Sequence, residues 1–239
     1  VSDVQQSNGQ NIHLGKIASG SIDNVNTIEA AIDISRRNAI MRNHTATHIM
    51  HQCLKNILGE HVHQAGSLVT EKILRFDLTY HEKIKSDLIS KIEELVNKII
   101  LSNSVVDTEI KAFKKAQMEG AISLFGEKYG DTVRVVNVPG FSKELCGGTH
   151  VKRTGDIGVF KIISESALAS GIRRITAITG DSVSDLLSNQ EQIFDNLKEI
   201  LNCSKEMIVD RLEVLLEEKK KLEKENIEFK KNHQSDLIG

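Results

Sequence analysis

Two short segments almost a hundred residues apart constrain this chain more than any other feature: His44-Thr-Ala-Thr-His48 and Cys146-Gly-Gly-Thr-His150. Histidines at i and i+4 stand one turn apart on one face of a helix, so both rings can reach a single ion. In the second segment, two glycines let the backbone bend between a thiol and an imidazole, so both can converge on one point. A thiolate with imidazoles suits zinc better than magnesium or calcium, which prefer oxygen. The expected zinc donors are therefore His44, His48, Cys146 and His150. His51 lies one further turn along nearly the same face, and spacing alone does not say which two of the three helical histidines bind. A helical zinc protease needs glutamate directly after its first histidine as general base; Thr45 stands there, which argues against peptide hydrolysis. His61, His63 and His81 have no partners by spacing.

The hydrophobic pattern around these segments predicts an α+β fold. Residues 1–34 alternate short apolar pieces with Gly9, Gly15 and Gly20 and read as two or three short strands. A helix is expected from Ser35, as N-cap, to a stop at Gly59, with Ile49, Met50, Cys53, Leu54, Ile57 and Leu58 at helical spacing. A hairpin follows, its second arm carrying Leu74, Phe76, Leu78 and Tyr80 in alternation. Ile84, Leu88, Ile92, Leu95, Val96 and Ile99 mark a second helix. Strands are expected over 105–111, 133–138, 157–164 and 172–179, with a helical piece near 114–124 and a turn at Pro139-Gly140. Hairpins should outnumber crossovers.

After Gly180 the composition changes: residues 183–233 contain no Gly or Pro. Leu201, Ile208, Leu215, Leu222 and Phe229 recur by sevens with Leu212 between them, but Lys205, Lys219 and Asn226 interrupt the seam. The segment reads either as a solvated amphipathic helix or as an arm toward a further module. The chain thus divides at 1–34, 35–180 and 181–239, and its start at Val1 in a strand-like pattern reads as part of something longer.

Composition narrows the function classes. The net charge of −2 provides no global basic field, so RNA contact would rest on local pairs such as Arg173-Arg174 and Lys152-Arg153. Such pairs are also common as solvated strand-end charges. Three widely spaced cysteines argue against a disulfide framework and for a reducing, cytoplasmic setting, and Cys53 reads as a small buried hydrophobe. No apolar run is long enough to span a bilayer, and no secretory signal opens the chain.

With both metal segments in view, the sequence resembles the editing domain of alanyl-tRNA synthetases. The stretches that carry the resemblance are Arg42-Asn-His-Thr-Ala-Thr-His48, Gln64-Ala-Gly-Ser-Leu68, Leu74-Arg-Phe-Asp77, Leu124-Phe-Gly-Glu-Lys-Tyr129, Glu144-Leu-Cys-Gly-Gly-Thr-His150, Thr154-Gly-Asp-Ile-Gly158 and Gly171-Ile-Arg-Arg-Ile175. They cover roughly residues 36–180. Threonyl-tRNA synthetase editing domains have a similar zinc pattern, but the stretches beginning at Leu124 and Gly171 favour the alanyl branch.

The resemblance implies a zinc-containing editing domain of the threonyl/alanyl type, preceded by part of a small β-barrel and followed by a long helix or coiled-coil arm leading to a C-terminal domain. The ATP-binding aminoacylation core of that family has no counterpart here, and association between copies would run through parts mostly missing from this chain. The implied activity is hydrolysis of mischarged seryl- and glycyl-tRNA for alanine, in place or as a free-standing deacylase. Thr47, between the zinc histidines, is implied as reader of the serine hydroxyl, and Gln64 as the amide that orients the ester or a water. Four protein ligands also suit a closed, structural zinc, which would make the chain a tRNA-binding module without chemistry.

Overall fold

The computed structural model describes residues 1–23, 25–123 and 129–236, the side chains of 231–236 excepted. The Leu124-to-Tyr129 stretch therefore lies outside the described residues except for Tyr129, and the helix expected near 114–124 is shorter, running Phe113–Met118 and ending in a turn at Glu119 and Gly120. The chain divides into two compact units, Val1–Asp33 and Ile34–Gly239. The first holds an antiparallel hairpin, β1 (Asp3–Ser7) with β2 (Gln10–Leu14), turned through Asn8 and Gly9, both at positive φ. Among the described residues no third strand follows, so the stretch after Leu14 holds less regular structure than its apolar pattern predicts.

The second unit is built around α1 (Ile34–Leu58), whose middle is buried on nearly every side. Ala46, Ile49, Met50, Cys53 and Leu54 are fully buried, and so, nearly, are the polar Thr45, Thr47, His48 and His51. A helix surrounded by protein has no need of a one-sided apolar stripe. The helix begins at Ile34, so Ser35 stands in its first turn and is not its N-cap.

One flank of α1 meets a four-stranded antiparallel sheet in the order β3 (Gln64–Val69), β4 (Leu74–Thr79), β9 (Ile172–Thr179), β8 (Phe160–Ala169). The alternation in β4 buries Leu74, Phe76 and Leu78, which pair with Ala177, Ile175 and Arg173 of β9. The strand expected from 157 starts only at Phe160, because Thr154–Ile157 winds into a 3-10 turn that buries Ile157 and the Thr154 hydroxyl. Helix α2 (Ser86–Leu101) packs against α1 and β8 through Ile92, Val96 and Ile100, four residues apart.

The remaining sheet has three antiparallel strands, β5 (Asp107–Ala112), β6 (Thr132–Val138) and β7 (Ser142–Leu145), with the short α3 (Phe113–Met118) between the first two. Its period of two decides what reaches α1. Val136 and Val138 join the main core, whereas Val133, Val135 and Leu145 form a separate cluster with Ala116 and Ala121 on the other face. Glu144 pairs with Val136 and so shares the face toward the main core.

After Gly180 the polar segment is two helices: α4 (Asp181–Leu201) and α5 (Ile208–Asp236). Asn202 adopts the left-handed conformation at φ 48° and ends α4, and Lys205–Met207 forms a 3-10 turn before α5. Asparagine tolerates this conformation better than most residues, which explains a break without glycine or proline. Leu201 and Ile208, adjacent members of the sevenfold series, are buried on either side of the break, whereas Leu222 and Phe229 stay exposed. Among the described residues, no helix is long and apolar enough to cross a membrane.

Candidate metal centre

The middle of α1 and the turn after β7 meet at one point. The ligating atoms of His44, His48, Cys146 and His150 lie within 4.8 Å of one another. Cys146 Sγ is 3.3 Å from Nε2 of both His44 and His150. Bond lengths of about 2.0–2.1 Å to nitrogen and 2.3 Å to sulfur give a tetrahedral N–S edge of roughly 3.5 Å, so the spacing fits a four-coordinate ion. His48 Nε2 is buried and has no hydrogen-bond partner, as expected of a lone pair meant for a metal. The residues present fit zinc by donor type and by distance; His51 Nε2, outside the quartet, is equally buried and unpartnered.

Backbone geometry brings the thiol in. Cys146 N donates to Arg134 O at 3.0 Å, continuing the β6–β7 ladder one residue beyond β7. Arg134 Nη1 then donates to the carbonyls of Cys146 (3.0 Å) and Gly148 (2.5 Å), which holds the glycine turn closed. The two glycines are not equivalent. A Cβ at Gly147 would meet open space, whereas one at Gly148 would overlap the His44 ring.

The His48 and His150 rings are each held through the other nitrogen. His48 Nδ1 donates to Glu144 Oε2 at 2.5 Å, and His51 Nδ1 to Oε1 of the same carboxylate at 3.1 Å. A carboxylate only accepts, so the proton of His48 sits on Nδ1 and Nε2 faces the other donors. His51 stacks against Phe76 at 5.1 Å and lies outside the quartet. Glu144 holds both rings alike; what separates them is distance, since His48 and not His51 brings a ligating nitrogen into the group within 4.8 Å. Thr45 Oγ1 lies 3.1 Å from His150 Nδ1 and accepts the Val151 N–H at 3.1 Å, tying the second segment to α1.

The electrostatics favour a cation. Burial opposes ionisation of Cys146, but hydrogen bonds from His150 and His44 and the nearby His48 overcome it and pull the thiol down to about 3, into the ligating thiolate form. Burial and the neighbouring His48 and His44 lower His150 to about 4, despite the opposing Cys146. For His48 burial again opposes the charge, yet Glu144 and Cys146 raise it to about 10. Burial works against the Glu144 carboxylate too, but His48 and His51 hold it well below the usual range. Two anions serve the cluster, the half-buried Cys146 thiolate within it and the buried Glu144 carboxylate behind His48.

Glu144, Thr45 and Arg134 escaped the sequence reading. Glu144 had a usable signal: it sits two residues before the expected donor Cys146, on the same face of a strand. Glu144→Gln should weaken zinc binding about 10–100-fold, the usual cost of losing an outer hydrogen-bond partner. An amide presents one acceptor and one donor to two imidazole N–H groups, so one ring must turn. Competition with a chromophoric chelator measures this; unchanged affinity would remove Glu144 from the centre.

The other expected residues are placed as follows. Thr47 is buried on α1, and its hydroxyl donates to Asn43 O at 2.8 Å. Gln64 pairs with Leu78, so it shares the sheet face that α1 covers, and its Nε2 donates to Ser67 Oγ at 3.3 Å. Arg173 Nε reaches Glu165 at 2.5 Å, Arg174 makes two bonds to Asp77 at 2.7 and 2.8 Å, and Arg153 holds Asn103. Lys152 alone of these four cations has no ion pair or side-chain hydrogen bond among the described residues.

Residues 133–176 match the family described as the threonyl and alanyl tRNA synthetase second additional domain. The chain is 51% identical over 220 residues to the alanine–tRNA ligase of Fervidobacterium nodosum, covering 92% of this chain and 25% of that protein. It is 49% identical over 220 residues to the alanine–tRNA ligase of Thermotoga maritima, covering 92% of this chain and 26% of the relative. With the alanine–tRNA ligase of Bacillus anthracis the identity is 44% over 227 residues, 95% of this chain and 26% of the relative. The chain spans about a quarter of the length of these curated relatives.

Proposed function

From a chain that is homologous to alanine–tRNA ligases over nearly its whole length, we propose a hydrolase that clears mischarged seryl- and glycyl-tRNA for alanine. The observation that carries this reading is the convergence of three imidazoles and a thiolate at one point of α1, the helix that also carries the buried Thr47. His44, His48, Cys146 and His150 would hold zinc. Bound there, the metal would supply a fixed positive charge next to the ester, and its four protein ligands suit a zinc that shapes the pocket.

The remaining work falls to the chain's own side chains. Serine differs from alanine by one hydroxyl, and a merely apolar pocket discriminates poorly against such an addition. Thr47 donates its proton to Asn43 O, which leaves its oxygen lone pairs to accept from a serine hydroxyl. Alanine offers no such donor and would leave that oxygen unpaired in a buried site. Gln64, on the sheet face toward α1, would orient the ester or the attacking water with its amide.

Incubating the zinc-loaded chain with seryl-, glycyl- and alanyl-tRNA and following release of each amino acid tests the reading directly. Serine should be freed fastest. Thr47→Val should lower the seryl-over-alanyl ratio of kcat/KM at least about tenfold, since hydroxyl-reading sites discriminate by far more than that. An unchanged ratio would exclude Thr47 as the reader. The closed donor set also supports a second reading, a zinc-stabilised tRNA-binding module, which requires binding of seryl-tRNA with no serine released.

A further inference from the structure

We propose that the cavity bounded by Asn38, Met41, Arg42, Val151, Lys152 and Asp156 is a subsite for a backbone phosphate of the RNA end whose ester lies at the metal centre. This rests on the hydrolase reading above and says where the acceptor strand is gripped. The cavity holds about 340 Å³. Met41 and Arg42 precede His44 on α1 by less than one turn, and Val151 directly follows His150. In sequence the cavity's residues thus flank His44 and His150, its α1 members lying toward the start of the helix by roughly 5 Å at 1.5 Å per residue, and none of the four donors lines it.

Its lining carries two cations, Arg42 and Lys152, against Asp156, with Asp181 paired to Arg42 at 2.7 Å, which leaves Lys152 as the cation without a partner among the described residues. Asp156 already accepts the Arg153 N–H through Oδ2 at 2.9 Å. Arg42 is fixed in place by Asp181, whose carboxylate is 90% exposed, and by close approach to Gly180. Its Nε is buried without a hydrogen-bond partner, so the guanidinium is rigid while its charge is only partly neutralised. Gly180 has φ +53°, and a Cβ there would come within 2.8 Å of Arg42 Nε, so both the backbone and the guanidinium require glycine.

The other expected phosphate contacts fit less well. Arg173, Arg174 and Arg153 are held by Glu165, Asp77 and Asn103, as Arg42 is by Asp181, and unlike Arg42 none of them lines this cavity. A phosphate between Lys152 and Arg42 would face a mobile cation on one side and a fixed one on the other, with the exposed Asn38 amide as a third donor.

The test uses the full chain loaded with zinc and two minimal esters, 3′-seryl-adenosine with and without a 5′-phosphate. Wild type should prefer the phosphorylated ester in kcat/KM by about tenfold or more, mainly through KM. Lys152→Glu should reduce that preference to less than twofold while zinc content stays at one per chain; Asn38→Ala should reduce it partly. A wild type without preference, or a Lys152→Glu variant that keeps it, overturns the subsite. If neither ester is cleaved the hydrolase reading falls, and the subsite is judged by binding of a short single-stranded RNA, followed by fluorescence anisotropy. Wild type must then show a steeper salt dependence than Lys152→Glu, by about one unit of log–log slope. Equal slopes overturn the subsite on its own.

Discussion

Cys146→Ala is expected to lower zinc affinity by more than about 10²-fold and to stop release of serine from seryl-tRNA. Losing an outer hydrogen-bond partner alone costs 10–100-fold in such sites, and Cys146 is a donor. It is also the only sulfur in the quartet and the atom that approaches two imidazoles at 3.3 Å. Without the thiolate, three rings remain around a centre that has lost one of the two anions that serve it. Chelator competition gives the affinity, and amino-acid release gives the activity on the same preparation. A variant that cleared seryl-tRNA at the normal rate would detach the hydrolysis from this centre.

The second large effect is a contrast between neighbours. Gly148→Ala should weaken zinc binding about 10–100-fold, whereas Gly147→Ala should leave it within about threefold. The new methyl at 148 would overlap the His44 ring, and the turn cannot easily retreat because Arg134 grips the carbonyls of Cys146 and Gly148. At 147 the same methyl points into open space. Circular dichroism on both variants separates local displacement from loss of fold. Equal affinities would mean that the turn is softer than its hydrogen bonds imply.

Much of the fold followed from local pattern. The β9 strand matches the expected 172–179, and the alternation at Leu74, Phe76 and Leu78 marks the buried face of β4. What local pattern could not supply is the insertion of β9 between β4 and β8, a pairing between segments nearly a hundred residues apart. The break at Asn202 was hidden because an asparagine reads as an ordinary polar helix residue until its φ is known. Helical spacing indicated the histidine pair but could not choose against His51. That choice lies with the approach of the Cys146 turn to α1, which spacing along the helix does not report, while Glu144, 2% exposed in the polar-looking Ser-Lys-Glu-Leu of β7, holds both rings. Of the basic residues singled out by sequence, three have intramolecular partners, which no one-dimensional reading reveals.

The quartet also orders events in time. Its donors are divided between a helix seated on one sheet and a turn hung from another, about a hundred positions apart along the chain. Closing so long a loop is slow, and contacts of that sequence separation form late in folding. Metal capture at this place therefore reports that both halves have arrived. A nascent or partly unravelled chain would offer isolated histidines and a loose thiol, with no common point at which an ion could be held.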